Sequence, residues 1–438
     1  MEYLVGVLII VVGLLLSIAL HEVGHLVPAQ RFGVRVPQYM VGFGPTLWSW
    51  TRGETEYGIK AIPLGGYVRL VGMYPPQSRP VRGPRAVREL ISSAREASLE
   101  EIRPGEEHRA FYRLSTPKKI VIMVGGPAMN LVIAAVMFTV VVLAFGVSQP
   151  STQLADISQC VVPVTSESRT ECLDEDPPAP AAAAGLQPGD TVVAIGTMKV
   201  TTWDELSAAI AQAGGETVAL SYERDGELVT TSVTPLVTER PVTDRFGVPQ
   251  YDDQGQLRTE PRGFLGVAPA YITVHQPLTQ VPHMLGQSFA GTFDVILSLP
   301  QRMVDVWHAA FGGEERGLDS PVGVVGVGRI AGDITSADQL DGELAAQTQQ
   351  LLLLIGSLNV ALCAFNLIPL PPLDGGHVAG ALYEGARRSV ARLRGRRDPG
   401  NADTARLLPL AYGVFVLLAG MGLLLIYADL VNPVRLIQ

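Results

Sequence analysis

Charge is scarce in this chain of 438 residues: 17% are Asp, Glu, Lys or Arg, and their balance is −9. A surface that neutralises phosphates needs an excess of Lys and Arg, so nucleic acid is excluded as a partner. Cysteine is scarcer still, at three residues. No Cys, Ser or Thr stands in a convincing nucleophile arrangement, which argues against covalent catalysis. The first apolar run follows Met1-Glu2 without a basic leader and without a small-residue cleavage site, so it is read as retained and not as a removed signal peptide. No repeat pairs the two halves, which argues against a transporter.

What the chain has in quantity is apolar sequence, 47% of its residues. Four runs reach the roughly 20 residues needed to cross a bilayer as helix: 3–25, 120–147, 350–370 and 407–431. A polytopic α-helical membrane protein with four transmembrane helices is therefore expected, with the lipid bilayer as its first partner.

The first run ends in His21-Glu22-Val23-Gly24-His25. On a helix, positions i and i+4 share a face, so His21 and His25 project together and can supply two protein ligands of a catalytic zinc. Glu22 stands where a carboxylate can take a proton from a metal-bound water. The alternative is a polar helix end at the water interface. Against it, two His and a Glu beside a span are costly without partners, so a third ligand is required. The segment Asn366-Leu367-Ile368-Pro369-Leu370-Pro371-Pro372-Leu373-Asp374-Gly375-Gly376-His377 offers one. Its prolines deny a regular helix, and irregular backbone at membrane depth survives only inside protein or beside a wet cavity. Asp374 is then either a turn residue ahead of Gly-Gly or an acidic ligand, with His377 as its competitor.

The pairing of HExxH on the first span with this late N-x-x-P-x-P-P-L-D-G-G resembles the site-2 protease family of intramembrane zinc metalloproteases, in particular bacterial regulators of intramembrane proteolysis that carry a PDZ module between their second and third spans. The resemblance covers nearly the whole chain. It implies Zn2+ on His21, His25 and Asp374, Glu22 as catalytic base, and Asn359 and Asn366 as substrate-holding residues. Gly125-Gly126-Pro127-Ala128-Met129-Asn130 is similar to the family's G-P-x-x-N segment. The implied function is zinc-dependent intramembrane endoproteolysis of single-pass membrane proteins, such as an anti-sigma factor after a first outer cut, or clearance of remnant signal peptides. A catalytically silent PDZ-bearing scaffold and a membrane-tethered peptidase for soluble peptides are the other classes considered.

Lys and Arg set the expected orientation, since they favour the cytoplasmic side. Segment 29–119 holds about fifteen and 377–406 about seven, whereas the much longer 147–349 holds about ten. The zinc motif is thus expected toward the cytoplasmic side of a bacterial inner membrane, with the N-terminus outside. Residues 42–70 read as strands and tight turns, a membrane-associated β-hairpin that either packs over the membrane face or receives an unwound substrate by strand addition. Residues 75–107 read as a polar insertion of short helix and loop.

Outside the membrane, Ala184-Gly185-Leu186-Gln187-Pro188-Gly189-Asp190 precedes a strand at 191–195, a helix at 203–213 and a hairpin at 218–233. That order resembles bacterial protease PDZ domains, an extracytoplasmic α+β module. Its Gly-rich loop is read as exposing amides to a terminal carboxylate; the other reading is a size filter. Residues 148–183 read as an exposed acidic, Pro-rich linker, where Cys160 and Cys172 are expected to form a disulfide. Cys363 reads as a packing residue. Residues 276–348 read as an amphipathic outer segment interrupted at Pro300, and Ser320-Pro321-Val322-Gly323 resembles a family segment without a derivable role. The expected division is 1–28, 29–119, 120–147, 148–183, 184–275, 276–348, 349–376, 377–406 and 407–431.

Overall fold

The structure, a computed structural model, describes residues 2–76, 84–162, 172–173, 176–242, 257–313, 316–317, 320–336 and 344–434. Part of the expected polar insertion (77–83) and most of the stretch between Cys160 and Cys172 lie outside the described residues. In chain order the elements are α1 (Glu2–Arg31), β1 (Gln38–Arg52), β2 (Thr55–Arg69), α2 (Arg85–Glu100) and α3 (Thr116–Val140), which a wider turn, Val141–Phe145, prolongs. There follow β3 (Val147–Ile157), α4 (Pro180–Ala183), β4 (Thr191–Ile195), β5 (Met198–Lys199), α5 (Trp203–Gln212), β6 (Val218–Arg224), β7 (Glu227–Val233), β8 (Leu236–Pro241), β9 (Thr259–Phe264) and β10 (Val267–Val274). The chain ends with α6 (Gln280–Phe311), α7 (Val324–Ser336), α8 (Leu344–Asn366), α9 (Asp374–Leu393) and α10 (Leu408–Val431). They form two compact units, 1–145 with 277–438, and 146–276.

Among the described residues of the helical unit, four helices are long and apolar enough to cross a membrane: Glu2–Arg31, Thr116–Phe145, Leu344–Asn366 and Thr404–Val431. Lipid is as apolar as leucine, so these helices must be joined by close backbone contact and by polar bonds. Glycine provides the first. A Cβ on Gly24 would lie 2.2 Å from the Gly125 carbonyl oxygen, and one on Gly125 would lie 2.0 Å from that of Gly24. The α1 and α3 backbones therefore touch where the G-G-P segment meets the HExxH turn. Polar bonds provide the second. Asn359 Nδ2 of α8 donates to Ser17 Oγ of α1 at 2.9 Å, and Lys119 of α3 grips Glu384 of α9 at 2.9 and 3.1 Å.

Ser320-Pro321-Val322-Gly323 acquires a role of this kind. Asp429, near the end of α10, accepts from the Gly323 and Gly326 amides at 2.9 and 2.8 Å, capping the start of α7, and from Arg316 Nη1 at 2.8 Å. Arg316 also donates to the Pro321 carbonyl. The segment is the backbone cradle of a buried carboxylate; a Cβ on Gly326 would fall 2.9 Å from that group.

Three stretches depart from the expected division. Helix α6 runs unbroken through Pro300, because proline removes one internal hydrogen bond and a long helix tolerates the loss. Segment 377–406, expected as a basic loop, is helical as far as Leu393. Residues 148–157, expected within an exposed linker, belong to β3.

The second unit is a mixed α and β fold. Its larger sheet runs β10-β3-β4-β6-β7, with β5 beside β4, and β8 and β9 form a separate ribbon. Leu154, Val192, Leu206, Leu220 and Leu265 centre its core. A reciprocal Thr202–Glu205 capping box starts α5. Cys160 and Cys172 are joined as a disulfide, whereas Cys363 is free and buried in α8.

The expected carboxylate-binding loop at 184–190 is overturned. Its amides are already engaged: Gly185 on Ala182 O, Leu186 on Ala181 O, Gly189 on Leu154 O and Asp190 on Gln187 O, with Gln187 on the Asp190 carboxylate. Asp190 in turn holds Arg224 at 2.6 and 2.7 Å. The loop is sewn into its own unit and has no donors left for a ligand.

Candidate metal centre

The last turns of α1 carry His21, Glu22 and His25. His25 Nδ1 donates to the Ile122 carbonyl of α3 at 2.7 Å, so that nitrogen keeps its proton and Nε2 presents a lone pair. Facing it, Asp374 opens α9. The two glycines after it are required by the chain's own path. A Cβ on Gly375 would lie 2.3 Å from the Ile368 carbonyl oxygen, and one on Gly376 would lie 2.5 Å from Pro371 N. The proline-rich bend thus folds back onto the first turn of α9 and fixes the direction in which Asp374 points.

Three donor atoms converge. His21 Nε2 and His25 Nε2 lie 3.3 and 3.4 Å from Asp374 Oδ2, and 3.2 Å from each other. Such edges suit one face of a tetrahedron around an ion about 2.0–2.2 Å from each atom. Two further observations fit a cation. Asp374 Oδ2 is buried without a hydrogen-bond donor. Gly126 leaves room where a Cβ would meet His25 Nε2 at 2.2 Å and His21 Nε2 at 2.7 Å. Two neutral imidazoles and one carboxylate, with one side open, are the donor set of a catalytic zinc site.

The cluster borders a cavity of about 520 Å3 whose lining includes Glu22, Tyr67, Arg69, Asn366 and His377. Among the described residues the three-member donor cluster includes Asp374 and not its competitor His377. Asn366 reaches the cavity. Asn359 does not: it is wholly buried, bonded to Ser17 and to the Ile355 carbonyl, and the substrate-holding role expected of it is replaced by a helix-pairing one.

The β-hairpin is more than a hairpin. Gln38 pairs with both Glu56 and Arg69, and Val41 with both Ile59 and Gly66, so β2 bends around β1 and flanks its first residues on both sides. Gly66–Arg69 is left as an outer edge, and these residues line the metal cavity. The strand passes close to the motif: a Cβ on Gly66 would lie 3.0 Å from Glu22 Cγ, and Tyr39 Oη donates to the Ala19 carbonyl at 2.7 Å. Sequence reasoning missed the space that Gly126 leaves beside the two imidazoles and the Ile122 carbonyl that orients His25. The G-G-P run was a signal, but its partner is distant in sequence and only the fold reveals it.

Residues 9–397 match peptidase family M50. The chain belongs to that family, the site-2 proteases. The M50 chain is 35% identical over 450 residues to the zinc metalloprotease Rip1 of Mycobacterium tuberculosis, covering 100% of both. It is 33% identical over 455 residues to Rip1 of Mycolicibacterium smegmatis, again covering 100% of both. To the metalloprotease MmpA of Caulobacter vibrioides it is 27% identical over 416 residues, 89% of this chain and 90% of the relative. This M50 protein is an intramembrane zinc metalloprotease. The silent-scaffold reading is thereby set aside.

Proposed function

We propose that His21, His25 and Asp374 hold the zinc, that Glu22 is the general base, and that the substrate is a single-pass membrane protein cut within its apolar segment. The observation that carries this is the convergence of three donor atoms from α1 and α9 beside Glu22. Bound there, zinc would lower the pKa of a water and polarise a carbonyl. Glu22 takes the proton that the water loses on attack and hands it to the departing amine nitrogen.

A peptide bond inside a helix is shielded by its own hydrogen bonds, so substrate must be extended before it is cut. The outer edge Gly66–Arg69 offers backbone donors and acceptors for an added strand, and Asn366 offers an amide to the same segment. The lysine and arginine bias supports a cytoplasm-facing zinc site in a bacterial inner membrane, with the 146–276 unit outside. The order of β4, α5, β6 and β7 supports a PDZ-like identity for that unit. Strand β10 ends its sheet, and its Tyr271 and Ile272 side chains are exposed. These features support a contact with an extended substrate tail at this edge, such as one left by a first outer cut of an anti-sigma factor.

The test is a transmembrane reporter incubated with purified enzyme in detergent, its products mapped by mass spectrometry. A cut inside the apolar segment that disappears in Glu22→Gln supports the reading. Cleavage confined to soluble peptides contradicts it.

A further inference from the structure

Beside the zinc cavity lies a second, smaller one of about 320 Å3. One wall is the proline bend, Pro371 and Pro372; the other is α10, where Leu408, Ala411 and Phe415 stand three and seven positions apart and so share a face. Tyr74, Pro372 and His377 line both cavities, so the two are neighbours across a thin partition.

Their chemistry differs. The zinc cavity is mixed: His21, Glu22, His25, Arg69, Ser98 and Glu101 stand beside Val68, Leu70, Met73 and Met123, so its polar groups can solvate a peptide backbone and water around the metal. In the second, aliphatic and aromatic carbon dominates, and its prolines bring no amide donors. An extended apolar segment laid across the zinc must turn the side chains beside the scissile bond somewhere. The mixed cavity must also hold water and the charged groups around the metal, whereas the neighbouring pocket is the more uniformly apolar of the two. Its volume stands at the small end of the range for ligand sites, about 300–1,000 Å3, which suits one large side chain and not a helix.

We propose that this pocket is the specificity subsite of the enzyme: it receives one large apolar side chain, leucine, methionine or phenylalanine, from a residue flanking the scissile bond. A side chain leaving lipid gains nothing from dehydration, so discrimination comes from fit and dispersion. Ala411, half-buried, and Phe415, exposed, both line the pocket. The inference rests on the substrate reading above, because only a transmembrane segment brings such side chains to the zinc as a rule.

The experiment uses full-length enzyme in detergent and reporters that differ at each position flanking the mapped cut, carrying Ala, Leu or Phe. At one of those positions the parent is expected to prefer Leu or Phe over Ala by about tenfold or more. Ala411→Trp fills the pocket and should lower that preference ratio by at least about tenfold, Ala411→Leu by less, and Phe415→Ala should raise the ratio for Phe over Leu. Zinc content of every variant is measured alongside. An unchanged ratio in all three variants overturns the inference, as does a uniform loss across the reporters with zinc retained. So does native mass spectrometry that finds a lipid displaced by Ala411→Trp while the ratio stays put. A parent that holds zinc but cuts no transmembrane reporter is a separate failure, of the substrate reading itself.

Discussion

The two units solve the problem of stability in opposite ways. The 146–276 unit buries Leu154, Val192, Leu206, Leu220 and Leu265 almost completely around one core. The helical unit leaves apolar side chains outside: Leu423 is 69% exposed and Val416 67%, and only 11% of the most apolar stretch of the fourth span is buried. In water that surface would be ruinous; in lipid it costs nothing, but it also binds nothing together. The helical unit therefore depends on glycine crossings and on buried polar clasps, Ser17 with Asn359, Lys119 with Glu384, and Arg316 with Asp429. The same architecture can position ionisable residues for chemistry, because each is already fixed by a partner on another helix.

The largest effect that sharpens this contrast is on activity. Glu22→Gln should lower cleavage by between about a hundredfold and ten-thousandfold with zinc retained, measured as kcat on a transmembrane reporter, whereas no single change in the core of the other unit should approach this in kcat. Next comes the clasp. Asp429→Ala leaves Arg316 buried without its carboxylate and should cost about 3–5 kcal/mol, seen as a large fall in melting temperature in detergent. An Asp429→Ala protein that melts with the parent would break the claim that polar clasps hold the helices. Leu220→Ala, a loss of packing alone, should cost about 2–5 kcal/mol, read from protease susceptibility of 146–276 with zinc content unchanged.

The smallest effect is on pH dependence. Burial would raise the Asp190 pKa, but the Arg224 guanidinium and the Gln187 amide more than offset it and hold the carboxyl below its usual value. A depressed folded pKa means that the ionised form is favoured by folding. Its contribution is complete above the unfolded value of about 3.9 and is lost as pH falls through the folded one. The difference in melting between parent and Asp190→Asn should hold constant from neutral pH down to about pH 4 and shrink below it. A difference that grows toward acid contradicts this account of Asp190.

Local chemistry was legible in the sequence, and pairing was not. His21, Glu22 and His25 share one helical turn, so their spacing carries their geometry, and the apolar runs declare the spans by length. Asp374 ahead of Gly-Gly reads locally as a turn residue; the resemblance of the whole late motif chose it over His377, and the fold places it beside His21 and His25. Asn359 misled because an asparagine in a span serves a neighbouring helix as readily as a substrate. Strand β3 was hidden by composition: Leu154 and Ile157 supply its core face, but prolines, serines and acids around them dominate any average. The 184–190 loop has the glycines of an open anion site, yet its amides close on Ala181, Ala182 and Leu154, which sequence spacing cannot reveal.

The most direct test of the central claim is zinc stoichiometry of the detergent-purified chain, compared among parent, Glu22→Gln and Asp374→Ala, with cleavage of a transmembrane reporter read from the same samples. The account predicts one zinc per chain in parent and Glu22→Gln, cleavage in the parent alone, and a marked loss of zinc in Asp374→Ala. Full zinc in Asp374→Ala, or turnover by Glu22→Gln, would contradict it.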